Sequence, residues 1–508
     1  MAALVVLTNI ASAQLLDSPR SLQPPPSFQP ARSPEPLRRR LPAGILHLPL
    51  PSQTLRCFPD SGRSLRLRLP ALMDSAMIPG LALALIDGDK VVWRGGFGAS
   101  DPKGGKVSAE RTVFEAASLS KPVVAYAALK LVDAGQLDLD RPLITYTPYP
   151  DFHGDTLGNR VTARMVLSHT SGLQNERTGS DSLRFSFVPG ARFQYSGEGF
   201  VFLGRAIEAI TGHSLAESMK SLVLEPLAMN RSSFVWDTRF EDDAATGHGR
   251  FGEPRKRTLP RVARAPSSLQ TTAADYARFL VAVAQGVGLK PETWRLMQTP
   301  AVEVAPGVSW GLGWAIEKDS TATDLAHHGD NSDSGFTAFS LLAVDRQCGL
   351  VYFANSANGL SIVSEIAATI PGAHPGLSLL GYQPYTAPPA LARARIARKL
   401  LSAGIDAALA EYHRIQDENP AATPEKLLND LGYSLLNQAR NKDAIRAFRE
   451  NIAAYPTSAN VYDSMGDAYL ADGHPTAARD AYRRATELDS SNGHARHLAD
   501  SLNARLRH

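Results

Sequence analysis

Hydrophobic positions change their period along the chain, and the changes mark out its elements. The apolar run Gly80-Leu-Ala-Leu-Ala-Leu-Ile86 is followed by Asp87-Gly88-Asp89-Lys90 and then by Val91-Val-Trp-Arg-Gly95. An Asp-Gly turn between two such runs predicts a β-hairpin. A second hairpin is predicted far downstream, where Gly335–Val344 and Leu350–Ala354 flank Asp345-Arg-Gln-Cys-Gly349. Between the hairpins the period is mostly helical, as in Pro122–Ala134, ended by Gly135, and Thr272–Ala284, preceded by Thr271. Strands at both ends with helices between them predict an α+β fold, an antiparallel sheet flanked by helices with a helical insertion. This unit spans 72–370, with 361–370 as its closing helix. The Pro- and Gly-rich stretch 371–388 reads as a linker.

Beyond the linker the sequence repeats. Gly432 and Gly466 are 34 residues apart, as are Ala444 and Ala478, and Phe448 and Tyr482. A helix-turn-helix unit of that period, with small residues where its helices cross, is the tetratricopeptide pattern. Ala408, Tyr412 and Pro420 reproduce the spacing of Ala444, Phe448 and Pro456, so Pro389–Ala422 reads as a degenerate first unit. Gly493–Leu506 reads as a capping helix. Residues 389–508 are therefore expected to be all-α, a tail that holds a protein or peptide partner or packs on the preceding unit.

Composition narrows the function classes. With 53 Lys+Arg against 50 Asp+Glu in 508 residues, the net charge is +3, too balanced for a nucleic-acid binder. No run approaches 18 apolar residues, so a transmembrane span is not expected. Cys57 and Cys348 are the only cysteines, so neither a disulfide framework nor a cysteine-based zinc site is expected. The first 70 residues hold nine of the arginines, three acids and 12 of the 35 prolines. Such a stretch buries little, and 14–70 is expected to be a disordered leader. Met1–Ala13 is a short apolar run ending Ala11-Ser12-Ala13, a candidate signal peptide that lacks a positively charged start. Export to a periplasm or the medium is the expectation, with a cytoplasmic location as the alternative.

Candidate chemistry starts at Ser118-Leu119-Ser120-Lys121, with Pro122 in the first turn of a helix. Three residues is nearly one turn, so Lys121 shares a helix face with Ser118 and its nitrogen can reach the hydroxyl. Serine is a weak nucleophile until a neighbour takes its proton, and a helix N-terminus offers N–H donors to a developing oxyanion. Alone, the tetrad equally describes a helix start with a solvent-facing lysine. Further segments follow in order: Leu167-Ser-His-Thr-Ser-Gly-Leu173, Pro189-Gly-Ala-Arg-Phe-Gln-Tyr-Ser-Gly197, and His327-His-Gly329 before the strand at Gly335. With them the chain strongly resembles the serine β-lactamase and penicillin-binding-protein superfamily, especially its class C-like branch with esterases and D-aminopeptidases. Pro226-Leu-Ala-Met229, Thr271-Thr-Ala-Ala274 and Trp310-Gly-Leu-Gly-Trp314 are similar to it as well.

The resemblance implies that Ser118 is the acylated nucleophile, Lys121 its partner base and Tyr195 the proton shuttle to the leaving group. It also implies an oxyanion hole from the N–H groups of Ser118 and Asp330, and puts His327 and Gly329 in the place of a Lys-Thr-Gly segment. No cofactor or metal is implied. In two places the sequence departs from the family pattern. Gly197 stands where an Asn would contact a substrate amide, and His327 stands where a Lys would help anchor a carboxylate. The expected activity is hydrolysis of small esters or D-amino-acid amides and peptides, with weak β-lactam turnover. The alternatives are a true class C-like β-lactamase or DD-peptidase, and an idle peptide-binding protein. Other candidates carry less. His169 reads as part of a packed turn, and Asp151, His153 and Asp155 as a loop lacking the rest of a metal motif. Asp330-Asn331 reads as a turn, and Cys348 as a hairpin-tip residue outside any catalytic context.

Overall fold

The computed structural model describes residues 57–58, 60, 62–177, 183–318, 323–373 and 381–506. The candidate signal peptide and most of the Pro- and Arg-rich leader lie outside the described residues. The chain runs through α1 (Arg63–Ala76), β1 (Gly80–Asp87), β2 (Lys90–Gly98), β3 (Phe114–Glu115), α2 (Ser120–Asp133), α3 (Ala163–Leu167), α4 (Gly197–Thr211) and α5 (Leu215–Met219). It continues with β4 (Gln270–Thr271), α6 (Ala273–Gln285), α7 (Pro291–Met297), β5 (Val302–Ala305), β6 (Val308–Trp310), β7 (Ala315–Lys318), β8 (Thr323–Asn331), β9 (Phe336–Ala343), β10 (Cys348–Ala354) and α8 (Val363–Ala367). The main sheet has the order β2-β1-β10-β9-β8-β7-β6-β5, and its pairings are antiparallel. Both sequence-predicted hairpins are present, and they lie side by side, with Leu81 opposite Ala354 and Leu85 opposite Leu350.

The apolar run of β1 does not alternate with polar residues because both faces of the strand are covered. Ala82, Ala84 and Ile86 face a core shared with α2 and α6. Leu81, Leu83 and Leu85 face a second core shared with α1 and α8. Here the structure corrects the expected leader boundary at residue 70. Leu65, Leu69, Leu72, Met73 and Ala76 are buried at helical spacing, so α1 is amphipathic and covers the sheet. Its arginines, which made the stretch look like leader, lie outside that apolar stripe. Cys57, just ahead of α1, is disulfide-bonded to Cys348 at the start of β10, and its N–H donates to Asp87 Oδ2 at 3.0 Å. This pairing was not expected from the sequence, since Cys57 falls in the stretch read as leader.

After residues 381–387 come α9 (Pro388–Glu418), α10 (Glu425–Asn437), α11 (Asn441–Ala454), α12 (Ala459–Ala471), α13 (Pro475–Leu488) and α14 (Gly493–Arg505). Gly404 breaks α9 with φ 80° and ψ −169°, which makes it a helix pair like those that follow. The 34-residue period has a packing reason. A Cβ on Gly432 would lie 2.3 Å from the Phe448 ring, and one on Gly466 would lie 2.5 Å from the Tyr482 ring. Each ring rests directly on a helix backbone.

The tail packs on the preceding unit. Phe251, 1% exposed, is buried among Ala392, Ile396, Ala397 and Leu400, and Arg398 donates to the Asp74 carbonyl at 2.7 Å. Phe251→Ala is therefore expected to cost about 3 kcal/mol of stability, the scale of emptying a buried aromatic site. Thermal denaturation should show the lower midpoint. A chain ending near Pro384 keeps every predicted catalytic residue but exposes Phe251, and it should melt lower in the same way.

Candidate active site

Ser118 stands on a turn that its surroundings hold rigidly. β3 pairs with β4, Phe114 opposite Thr271 and Glu115 opposite Gln270, and Ala116 N–H donates to Leu269 O at 2.8 Å. Ala117 then adopts φ 49°, a left-handed conformation that strains a residue with a Cβ by roughly 1–2 kcal/mol. Three contacts hold it there. Ser120 Oγ donates to Ala117 O at 2.7 Å and accepts from Leu269 N–H at 3.0 Å. Tyr276 OH donates to Leu119 O at 3.1 Å. The result is a half-buried hydroxyl at the start of α2. Gly329 on β8 has its own steric reason, since a Cβ there would lie 2.3 Å from Ala116 O. Only glycine lets the strand lie this close to the turn.

Lys121 is 2% exposed. Its Nζ lies 3.0 Å from Ser118 Oγ, donates to Pro266 O at 3.0 Å, and sits 4.7 Å from the centre of the Tyr195 ring. Burial disfavours the ammonium and pushes Lys121 down to about 7, partly opposed by the negative charge of Glu176. Near neutral pH a large share of the side chain is therefore a free amine able to accept the Ser118 proton. The Tyr195 hydroxyl is a hydrogen-bond partner of Ser118, and burial holds it well above the ordinary phenol range. It is a phenol, able to pass a proton on, and not a standing phenolate.

Two buried imidazoles complete the pocket. His169 stacks on Tyr195 with ring centres 4.2 Å apart, and its Nδ1 accepts the Ser196 N–H at 3.0 Å. It thus supports the tyrosine from behind, a contact that no sequence spacing revealed. His327 Nδ1 lies 2.8 Å from the His328 carbonyl, so Nδ1 carries the proton and Nε2 is left as an acceptor. Burial keeps both rings neutral, well below the usual histidine range, and the neighbouring Lys121 adds to the shift.

The remaining sequence candidates fall into place around these groups. Gly197 opens α4, and its N–H donates to Asn175 O at 3.1 Å. A Cβ there would lie 2.5 Å from that same oxygen, so the backbone of Asn175 fills the space that an asparagine at 197 would need. Asp330 and Asn331 are the last two residues of β8 and not the turn expected from the sequence, and the Asp330 carboxylate accepts from Ser332 N–H at 2.9 Å and from Tyr382 OH at 3.2 Å. Asp151 pairs with Arg177 at 2.7 Å, and Asp155 caps a short helical turn through Leu157 N–H at 2.9 Å. These two therefore serve local structure. Among the described residues, the group with metal-ligand spacing is Cys57, Asp87 and Cys348, and the disulfide takes both of its thiols.

This geometry fixes the pH dependence expected for a neutral substrate. kcat/KM should rise with pH through about 7 as Lys121 loses its proton, then level off. His327 is already neutral, so His327→Ala should leave the position of that limb unchanged. Lys121→Arg keeps a permanent cation beside Ser118 and should cost roughly 10²–10⁴-fold. A pH–rate profile on a nitrophenyl ester checks all three.

Comparison with known proteins places the segment that holds these groups. Residues 65–369 match the family model described as Beta-lactamase. Esterase EstB from Burkholderia gladioli is 28% identical over 349 residues, covering 56% of this chain and 89% of that protein. Penicillin-binding protein 4 from Amycolatopsis lactamdurans is 27% identical over 319 residues, covering 56% and 82%. Among solved structures, the octameric penicillin-binding protein homologue from Pyrococcus abyssi superposes with a TM-score of 0.53 at 24% identity, over 66% of this chain and 81% of that one. A class C beta-lactamase superposes with 0.54 at 19% identity, over 62% and 98%. These two share the fold. A strained serine turn, a desolvated lysine and a half-buried tyrosine thus sit inside a matched segment covering more than half of the sequence, and the chain belongs to the beta-lactamase family.

Proposed function

We propose that the protein is a serine hydrolase that acts through an acyl-enzyme on Ser118, with small esters or D-amino-acid amides as substrates and only weak β-lactam turnover. The observation that carries this reading is Lys121 Nζ, buried and 3.0 Å from Ser118 Oγ. In the proposed cycle Lys121 takes the Ser118 proton as Oγ attacks the carbonyl, and Tyr195 passes a proton to the leaving group. The N–H groups of Ser118 and Asp330 stabilise the oxyanion. Water then releases the acyl group by the same steps reversed. A merely inherited, idle site would gain nothing from a desolvated lysine, which costs folding energy.

His327 supports the ester and amide preference. A lysine in its place would offer a carboxylate a permanent charge. His327 is neutral and its one ring proton is directed to His328 O. Losing a charge-assisted hydrogen bond to a carboxylate costs about ten- to a hundredfold in binding or rate. Gly197 removes a second polar contact. That the matched relatives include an esterase and a penicillin-binding protein keeps the DD-peptidase reading as the runner-up.

Export is part of the proposal, since a disulfide such as Cys57–Cys348 persists in oxidising compartments. Among the described residues no helix is long and apolar enough to cross a membrane. The C-terminal helix pairs are proposed to be tetratricopeptide repeats, with a protein or peptide as partner.

A fluorophosphonate should add once, at Ser118, by intact-mass and peptide mapping, and Ser118→Ala should abolish the adduct. kcat/KM for a short-chain nitrophenyl ester should exceed that for nitrocefin. Labelling at another serine would sink the mechanism, and the reverse preference would return the protein to the true β-lactamases.

A further inference from the structure

Two arginines face one small cavity where the helical tail meets the sheet domain. Arg250 immediately precedes Phe251, the residue buried under α9, and Arg393 lies on α9 itself. Both line a cavity of about 20 Å³, to which Ser75, Asn358 and Tyr385 also contribute. Its walls are held in place from the sheet domain. Asn358 Nδ2 donates to the Arg250 carbonyl at 3.1 Å, and Tyr385 N–H donates to Ser361 O at 3.0 Å.

Charge is unbalanced at this junction. Arg393 Nε is buried with no hydrogen-bond partner. Among the described residues, neither guanidinium makes an ion pair or donates a hydrogen bond. Other arginines of α9 are engaged: Arg395 pairs with Glu411 at 2.7 Å, and Arg398 donates to the Asp74 carbonyl at 2.7 Å. Asp430 on α10 acts on Arg393 only from beyond ion-pair distance, and it is itself paired with Lys426. Burial and then the charge of Arg250 push Arg393 down to about 10, so both groups are still cations at neutral pH. Two like charges facing each other across a contact, one of them desolvated, cost stability that an anion between them would recover.

We propose that Arg250 and Arg393 form an oxyanion-binding site between the sheet domain and the tail, taking the oxygens of a carboxylate or phosphate group between their guanidinium groups. Each guanidinium presents N–H donors in a planar fork that matches two such oxygens. Ser75 and Tyr385 bring hydroxyls to the same cavity. Its room is about that of one or two water molecules, so the charged head enters and any larger body stays outside. The ligand is therefore a small oxyanion, or a molecule that ends in one. One arginine belongs to each side of the contact, so the bound anion fastens α9 to the sheet domain, and binding and docking are linked. The site uses none of the groups around Ser118 and does not depend on the hydrolase reading.

The full chain is melted in sodium acetate, sodium phosphate and sodium chloride at equal ionic strength, beside Arg250→Gln and Arg393→Gln. At about a tenfold excess over its dissociation constant, acetate or phosphate should raise the wild-type midpoint over chloride by about 2–4 °C. Phosphate also stabilises proteins in general, so the readout is the difference between the wild type and each variant, and both variants should lose the specific shift. The larger of the two shifts distinguishes a carboxylate ligand from a phosphate one. Isothermal titration of the wild type with that anion should show one site per chain, and of Arg250→Gln none. Arg250 lies on a half-buried turn, so this variant carries the comparison should Arg393→Gln fail to fold. Equal midpoints in the three salts, or an oxyanion shift or titration signal that Arg250→Gln retains, overturns the proposal.

Discussion

A primary amine held out of water beside a serine hydroxyl is the constraint from which most of the site follows. Water stabilises an ammonium strongly, and a chain that buries one must supply partners or let the proton go. Here Lys121 has one carbonyl, one hydroxyl and the face of a tyrosine ring around its nitrogen. The neutral imidazoles nearby fit this balance, because a second fixed cation would make the pocket harder to fold. Much of the surrounding fold keeps water out. α2 lies in one core of the sheet, and the turn carrying Ser118 is tied to β4 and α6 by hydrogen bonds across long sequence separations.

The two hairpins of the sheet were legible because their signals are local, whereas the short strands β5, β6 and β7 were not read from the sequence. An Asp-Gly turn between two apolar runs specifies a hairpin whatever lies elsewhere, and the 34-residue echo of Gly432 and Phe448 in Gly466 and Tyr482 specifies stacked helix pairs. The pairing of Ser118 with Lys121 was legible in their one-turn spacing, but Tyr195 only through the resemblance, since its contact with Lys121 depends on how α2 and α4 pack. What stayed hidden shares one physical reason. The stacking of His169 on Tyr195, the carbonyl of Pro266 and the carboxylate of Glu176 act through space between loops with no periodicity. α1 was missed because its arginines mask a short apolar stripe, and Cys57 was missed along with it.

Two glycines of the site have steric explanations, and of these only Gly197 departs from the family pattern. Gly197 makes room for the Asn175 backbone, and Gly329 makes room for Ala116. At both positions the lack of a side chain lets two segments touch. At 197 the backbone of Asn175 occupies the space that a larger polar side chain would take.

The pairing of β1 with β10 has a consequence for synthesis. Leu81 finds its sheet partner only at Ala354, so the first hairpin leaves the ribosome with an apolar edge that nothing yet covers. At the usual pace of translation the wait is on the order of tens of seconds, much longer than a hairpin takes to form. During that time the exposed edge is open to strands of other chains. A protein wired this way matures late and all at once, and its yield in a cell should depend on holding factors that shield the early hairpin until the final strands arrive.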